Sequence, residues 1–237
     1  RNSFIGLFLG GLGLGAAWAF PTKPVRIVIG FPAGGPLDLH ARLLADKLQA
    51  VLGQPVLIDY KAGAGGTVGA QEVMKSAPDG HTLMLANTGV LVINPALYSR
   101  LPYGTLKDFV PIARTAMQPL AFLVNPQLPV RTLQEFTAYV RERPGQVNYG
   151  SAGSGTSHHM IGELFKQTTG VDLTHVPYKG AGPLMQDLLA GQVDMAFDGM
   201  GTSANQIKAG KLRPLAVTSA TLVYVPLALT VARKVST

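Results

Sequence analysis

A chain of 237 residues, 47% hydrophobic and 14% charged, with a mean hydropathy of +0.24, can bury one large core or two modest ones. Its lack of cysteine excludes disulfides, thiolate metal sites and cysteine nucleophiles together. The net charge of +7 comes from Lys and Arg scattered as singletons without interleaved aromatic residues, which is a solvated basic surface and no nucleic-acid groove.

Residues 1–19 read as a secretory signal peptide. Arg1 precedes the apolar run Phe4 to Gly15, and Ala17-Trp18-Ala19 has the small-x-small pattern of a cleavage site. The run is shorter than the roughly 20 residues that span a bilayer. The folded part is expected to start near Phe20, and export points to the periplasm. Gly11-x-Gly13 fits a dinucleotide-turn pattern, but no strand precedes it.

Beyond that segment, short apolar or β-branched runs bounded by Gly, Pro or Asn predict strands at 25–31, 55–59, 82–86, 120–124, 147–150, 172–176, 193–197 and 214–218. Helices are expected between them. Pro36 and Pro183 suit helix starts, Thr132-Leu133-Gln134-Glu135 reads as a capping box, and Gly53 and Gly170 close helices. Strands alternating with helices imply an α/β fold with mainly parallel sheets, whose ligand crevice lies at the carboxyl ends of the strands.

The chain also repeats itself. Strand, Pro32-Ala33-Gly34-Gly35 loop, helix, strand and Tyr60-Lys61-Ala62-Gly63-Ala64-Gly65 are followed later by strand, Gly150-Ser151-Ala152-Gly153-Ser154-Gly155 loop, helix, strand and Tyr178-Lys179-Gly180-Ala181-Gly182. Two such units predict two similar lobes facing across a cleft. Glycines before a helix leave backbone N–H groups pointing outward at the positive end of the helix dipole, which suits an anion. Ser151, Ser154, Thr156 and Ser157 add hydroxyl donors. A small carboxylate held between two lobes is the reading favoured. Tight βα turns and helix caps would use the same residues at any single loop, and it is the repetition of all the loops that favours a ligand. None of these loops continues into Gly-Lys-Ser/Thr, so nucleotide phosphate binding is not expected.

Other chemistries fit less well. Ser151, Ser154 and Ser157 near His158 and His159 invite a serine-hydrolase reading, yet none has the GxSxG spacing of a nucleophile elbow. His159 and Glu163 are four apart on a predicted helix, but no spacing supplies a third metal ligand. Lys61 and Lys179 hold matching places in the repeat and are candidates to attract an acidic ligand. No catalytic residue, metal or cofactor is expected.

Phe31-Pro32-Ala33-Gly34-Gly35 with Asp38, Asn94-Pro95-Ala96-Leu97-Tyr98, Tyr149 to His158, and His175-Val176-Pro177-Tyr178-Lys179-Gly180 together resemble the Bug family. These are the TctC-like periplasmic receptors of tripartite tricarboxylate transporters, and the resemblance covers residues 20–220. It implies a Venus-flytrap protein, expected to be monomeric, that captures a small organic carboxylate and presents it to membrane permease subunits. It carries ligand contact to Ala33, Gly34, Asp38, Ser151, Gly153, Ser154, Gly155 and Thr156, with Asn87 and Asp198 at two further strand ends. Lys179 and Gly180 complete the candidate set. Asp38 is expected to cap backbone N–H groups or hold a water, since it would repel a carboxylate.

The expected layout is lobe 1 over 20–112, lobe 2 over 113–219, and an aberrant tail over 220–237. In such receptors the chain returns after Ala220 to complete lobe 1, whereas Thr221 to Thr237 is short, apolar and unlike that continuation. A truncation or frameshift, an incomplete first lobe with exposed strand edges, and a non-functional copy are the corresponding expectations.

Overall fold

A computed structural model describes residues 20–218 and, for the backbone, 226–233. The expected signal peptide over 1–19 lies outside the described residues, as do positions 219–225 and 234–237.

The strands are β1 (Val25–Ile29), β2 (Val56–Tyr60), β3 (Thr82–Ala86), β4 (Phe109–Met117), β5 (Leu120–Val124), β6 (Asn148–Ser151), β7 (Thr174–Pro177), β8 (Met195–Gly199), β9 (Arg213–Val217) and β10 (Pro226–Arg233). The helices are α1 (Pro36–Leu52), α2 (Thr67–Lys75), α3 (Asn94–Leu97), α4 (Thr105–Asp108), α5 (Leu133–Arg141), α6 (Ser157–Thr169), α7 (Ala181–Ala190) and α8 (Met200–Lys208). All eight strands expected from sequence are present, with ends displaced by at most two residues. Pro36 starts α1, and Gly53 and Gly170 close α1 and α6 in the left-handed conformation. The Thr132 hydroxyl accepts from Glu135 N–H at 3.1 Å, while the Glu135 carboxylate reaches Arg131 N–H and not that of Thr132.

Two five-stranded sheets result, ordered β2-β1-β3-β10-β4 and β7-β6-β8-β5-β9. In each, the first three strands are parallel and the fourth runs antiparallel to both neighbours. The sheets are therefore mixed, because the fourth strand enters from the opposite lobe. In β5 every side chain is buried: Leu120, Phe122 and Val124 pack on one face, Ala121 and Leu123 on the other. Phe122 meets Phe136, Phe165 and Phe197 edge to face at centroid distances of 5.0–5.2 Å, an arrangement favoured by the aromatic quadrupole. The first sheet buries Val25, Ile27, Val28, Ile29, Met84 and Leu85 against its helices.

Two boundaries depart from the sequence reading. Residues 113–117 pair with β10 in the first sheet, so the second sheet begins at Leu120. Pro111 and a mostly solvent-facing side-chain pattern hide β4 in the sequence, and both suit a strand at a sheet edge. The tail also returns to the first sheet: Pro226–Arg233 lies antiparallel between β3 and β4, with Leu229 opposite Ala86 and Ala232 opposite Leu83. The apolar residues that looked foreign to a return are a strand-forming run.

Candidate functional site

The loops after β1, β2, β6 and β7 meet between the two sheets. They are close enough that a Cβ on Gly180 would lie 2.7 Å from the Pro32 ring, and one on Gly65 would lie 3.0 Å from the Ser154 carbonyl oxygen. A cavity of about 30 Å³ lies there, lined by Phe31, Pro32, Gly35, Pro36 and Leu37 of the first lobe, with Asn87, and by Ala152, Thr156, His158 and Ala181 of the second. A larger cavity of about 220 Å³ shares Phe31 and Ala152 with it and continues past Gly63–Gly66, Tyr98, Gly153, Ser154, Tyr178 and Lys179.

Three helix starts face the small cavity. Gly35, Thr156 and Gly180 are the N-caps of α1, α6 and α7. Helix geometry leaves the first-turn N–H groups of Leu37, Ser157, His158, Ala181 and Gly182 without intrahelical partners, and three dipole ends add positive potential. Asn87 Oδ1 accepts from Val90 N–H at 3.1 Å, so its amide is held at the end of β3. The Thr156 hydroxyl donates to Gly153 O at 2.6 Å and accepts from His159 N–H at 3.4 Å, which fixes the glycine loop on α6. A largely apolar concavity with a few fixed polar groups is the common form of a small-molecule site.

The candidates divide into three groups. Asn87 and Thr156 line the small cavity, and Gly153, Ser154 and Lys179 line the larger one. Ala33, Gly34, Asp38, Ser151, Gly155, Gly180 and Asp198 line neither. Ala33 and Gly34 are exposed at the rim. Asp38 accepts from Gly34 N–H at 2.8 Å, from Arg42 Nε at 2.9 Å and from the Tyr60 hydroxyl at 2.5 Å. Burial raises its pKa, but the hydrogen bonds from Tyr60, Gly34 and Arg42 outweigh this and hold it below the ordinary aspartate value. Ser151 is buried and lies 2.7 Å from His175 Nε2, while accepting from Gly153 N–H at 3.2 Å. Gly155 donates to His159 Nδ1 at 3.3 Å. Asp198, 1% exposed, accepts from the Thr202 hydroxyl.

His175 stacks between Tyr149 and His159, at centroid distances of 4.8 and 4.3 Å. Burial and the neighbouring His159 push its pKa down to about 4, so at neutral pH it is uncharged and shares one hydrogen bond with the Ser151 hydroxyl. The Ser151–His175 contact therefore holds the loop, and the serine is too buried to meet a substrate. Glu163 takes the Tyr149 hydroxyl at 2.5 Å and Lys166 at 3.3 Å. Among the described residues no group of three His, Asp or Glu is placed to hold a metal, and no helix is long and apolar enough to cross a membrane.

Sequence reasoning missed Phe31, Leu37, His158 and Ala181 as cavity wall, and Tyr98 and Tyr178 in the larger space. One signal was available for His158. Adjacent helical residues point to different faces, so with His159 turned to the Gly155 loop, His158 had to face elsewhere.

Two α/β lobes with a cleft between them at the carboxyl ends of their parallel strands define a periplasmic-binding-protein fold. The chain belongs to the tripartite tricarboxylate transporter family receptors, TctC, whose family model matches residues 40–231. The family is one of receptors and not of enzymes. BugT of Bordetella pertussis is 38% identical over 219 residues, which is 91% of this chain and 67% of BugT. A Rhodopseudomonas palustris protein solved with adipate is 33% identical, with a TM-score of 0.87 over 91% of this chain and 78% of that one. MatC of the same organism, solved with bound malate, is 33% identical, with a TM-score of 0.83 over 90% and 79% of the two chains. The chain spans about three fifths of the length of curated relatives it matches.

Proposed function

We propose that the chain is a periplasmic solute-binding receptor that closes its two lobes on a small organic carboxylate and delivers it to the permease subunits of a tripartite tricarboxylate transporter. The observation that carries this reading is the convergence of the α1, α6 and α7 starts, with Asn87 and Thr156, on one cavity between the lobes. An anion there receives backbone N–H groups from both lobes at once, so binding favours the closed arrangement. The carboxylate group occupies the small cavity and the remainder of the solute extends into the larger one, toward Lys179. Relatives solved with adipate and malate support a dicarboxylate-sized solute. The receptor acts as a monomer, since the two lobes of one chain supply all of these groups.

The test is a thermal melt of residues 20–237 with malate, succinate, adipate, citrate and aromatic acids. One acid should raise the transition by the amount that native-state binding requires, RT ln(1 + [L]/Kd). A transition that no acid moves would refute the assignment.

A further inference from the structure

At the small cavity two buried polar side chains have unmet hydrogen-bonding capacity. His158 lines the cavity, and neither of its ring nitrogens has a hydrogen-bond partner in the protein. Asp198 at the end of β8 uses Oδ2 for Thr202, while Oδ1 has none. His158 Nε2 and Asp198 Oδ1 stand 3.5 Å apart, with side chains only 8% and 1% exposed. That separation is too long for a good N–H···O bond, though an adjustment of a few tenths of an ångström would make one. Buried groups of this kind are normally satisfied, and here His158 lines a cavity walled by helix starts while Asp198 stands directly behind it.

The charges in this corner impose a condition on any ligand. A carboxylate seated beside His158 would have the buried Asp198 carboxylate on the far side of that ring, and like charges at close range repel. Apart from His158 no titratable side chain lines the cavity, and the Asp38 carboxylate at the first turn of α1 is engaged by Gly34, Arg42 and Tyr60. The His158 ring lines the cavity and lies 3.5 Å from Asp198.

We propose that His158, positioned by Asp198, makes this cavity selective for an anionic carboxylate over the corresponding neutral amide. One ring nitrogen donates to Asp198 Oδ1 and the other donates to the ligand oxygen, so the imidazolium separates and satisfies two carboxylates. This rests on the receptor reading above and extends it from the shape of the site to its charge selectivity. An amide in the same position can accept through its carbonyl oxygen but carries no charge to balance the imidazolium, so it gains only the weaker, neutral-acceptor hydrogen bond.

The experiment is calorimetry with whichever of malate, succinate or adipate binds best, beside its neutral diamide, on the native protein and three variants. His158→Gln keeps a hydrogen-bonding side chain of similar reach without a charge. His158→Ala removes both. His158→Ala with Asp198→Asn also removes the facing charge. For the acid, His158→Ala should weaken binding by about 100-fold, as expected for losing a hydrogen bond to a charged group, and His158→Gln by less. The double variant should recover about 10-fold over His158→Ala. The diamide should change by less than about tenfold in every variant, as for losing a neutral hydrogen bond. A residue with only a structural role would weaken acid and amide alike, and that outcome overturns the inference while leaving the receptor reading intact. If His158→Ala does not melt cooperatively, the acid-to-amide ratio in His158→Gln decides in its place, an unchanged ratio counting against the proposal. Failure of the native protein to bind any of the three acids overturns both readings.

Discussion

Asp38 sits beside a proposed anion site without opposing it, because its charge is spent on three neighbours. The Arg42 guanidinium, the Tyr60 hydroxyl and Gly34 N–H all donate to its carboxylate, so the residue fixes the first glycine loop. Asp38→Asn should cost about 0.5–1.5 kcal/mol by weakening the hydrogen bonds that three neighbours make to this carboxylate, with carboxylate affinity falling because the loop is looser. Chemical denaturation and calorimetry on the same variant measure the two effects; unchanged stability would show that the cage does not hold the loop. The second loop depends on an uncharged His175. Its folded pKa of about 4 lies below the ordinary 6.5, so between those values the unfolded chain takes up a proton that the folded chain refuses. Stability is full above pH 6.5 and falls on acidification to about 4, with a slope of at most about 1.4 kcal/mol per pH unit. His159, lowered in the same direction by burial, adds to this loss. The melting temperature followed from pH 7 to 4 in the native protein and in His175→Phe tests it; a native curve as flat as that of the variant would disprove the linkage. At this scale the sequence was readable as types and not as roles. Ser151 and His158 stood out, but the partner that buries Ser151 comes from β7, and the partner that His158 faces comes from β8, neither of which local spacing reveals.

The glycine loops act as elements whose thinness lets the lobes meet. Gly180 (φ +152°) has the Pro32 ring 2.7 Å from where a Cβ would stand, across the cleft, whereas Gly53 (φ +65°) at the end of α1 has nothing within 4 Å. Alanine at either position carries backbone strain of about 1 kcal/mol. Only Gly180→Ala adds an obstacle between the lobes. Both variants should melt a few degrees lower, and only Gly180→Ala should weaken carboxylate binding, by about tenfold or more, since the closed state is what the ligand selects. Equal affinities in the two variants would mean that closure is not limited at this contact. Strands and helix ends were legible because apolar runs, Gly53, Gly170 and the Thr132 box act within a few residues of chain. The antiparallel direction of β5 was not: Leu120-Ala121-Phe122-Leu123-Val124 is buried on both faces, and such a run has the same composition whichever way its neighbours point.

At the scale of the molecule, the two sheets match position for position, β2-β1-β3-β10-β4 against β7-β6-β8-β5-β9. The fourth place in each is taken by a strand that has just left the other lobe: β5 follows β4, and β10 follows β9. The tail is thus the counterpart of β5, a relation visible only once both sheets are formed, which is why residues after Ala220 read as foreign in sequence. The symmetry makes β10 necessary to the first lobe, because β4 has β10 as its one neighbour in the sheet and β3 borders β10 on one side. A chain ending at Thr218 would leave the β3 edge open and β4 unpaired. We expect it to lose more than about 10 °C of melting temperature and to lose amide protection in β1–β4, while β5–β9, whose pairings remain within the shortened chain, stay protected in hydrogen exchange. No carboxylate should then stabilise it, since α1 and Asn87 would no longer be held against α6 and α7. If the shortened chain instead keeps its melting temperature and its response to acid, β10 is a passive addition, and the first lobe closes without it.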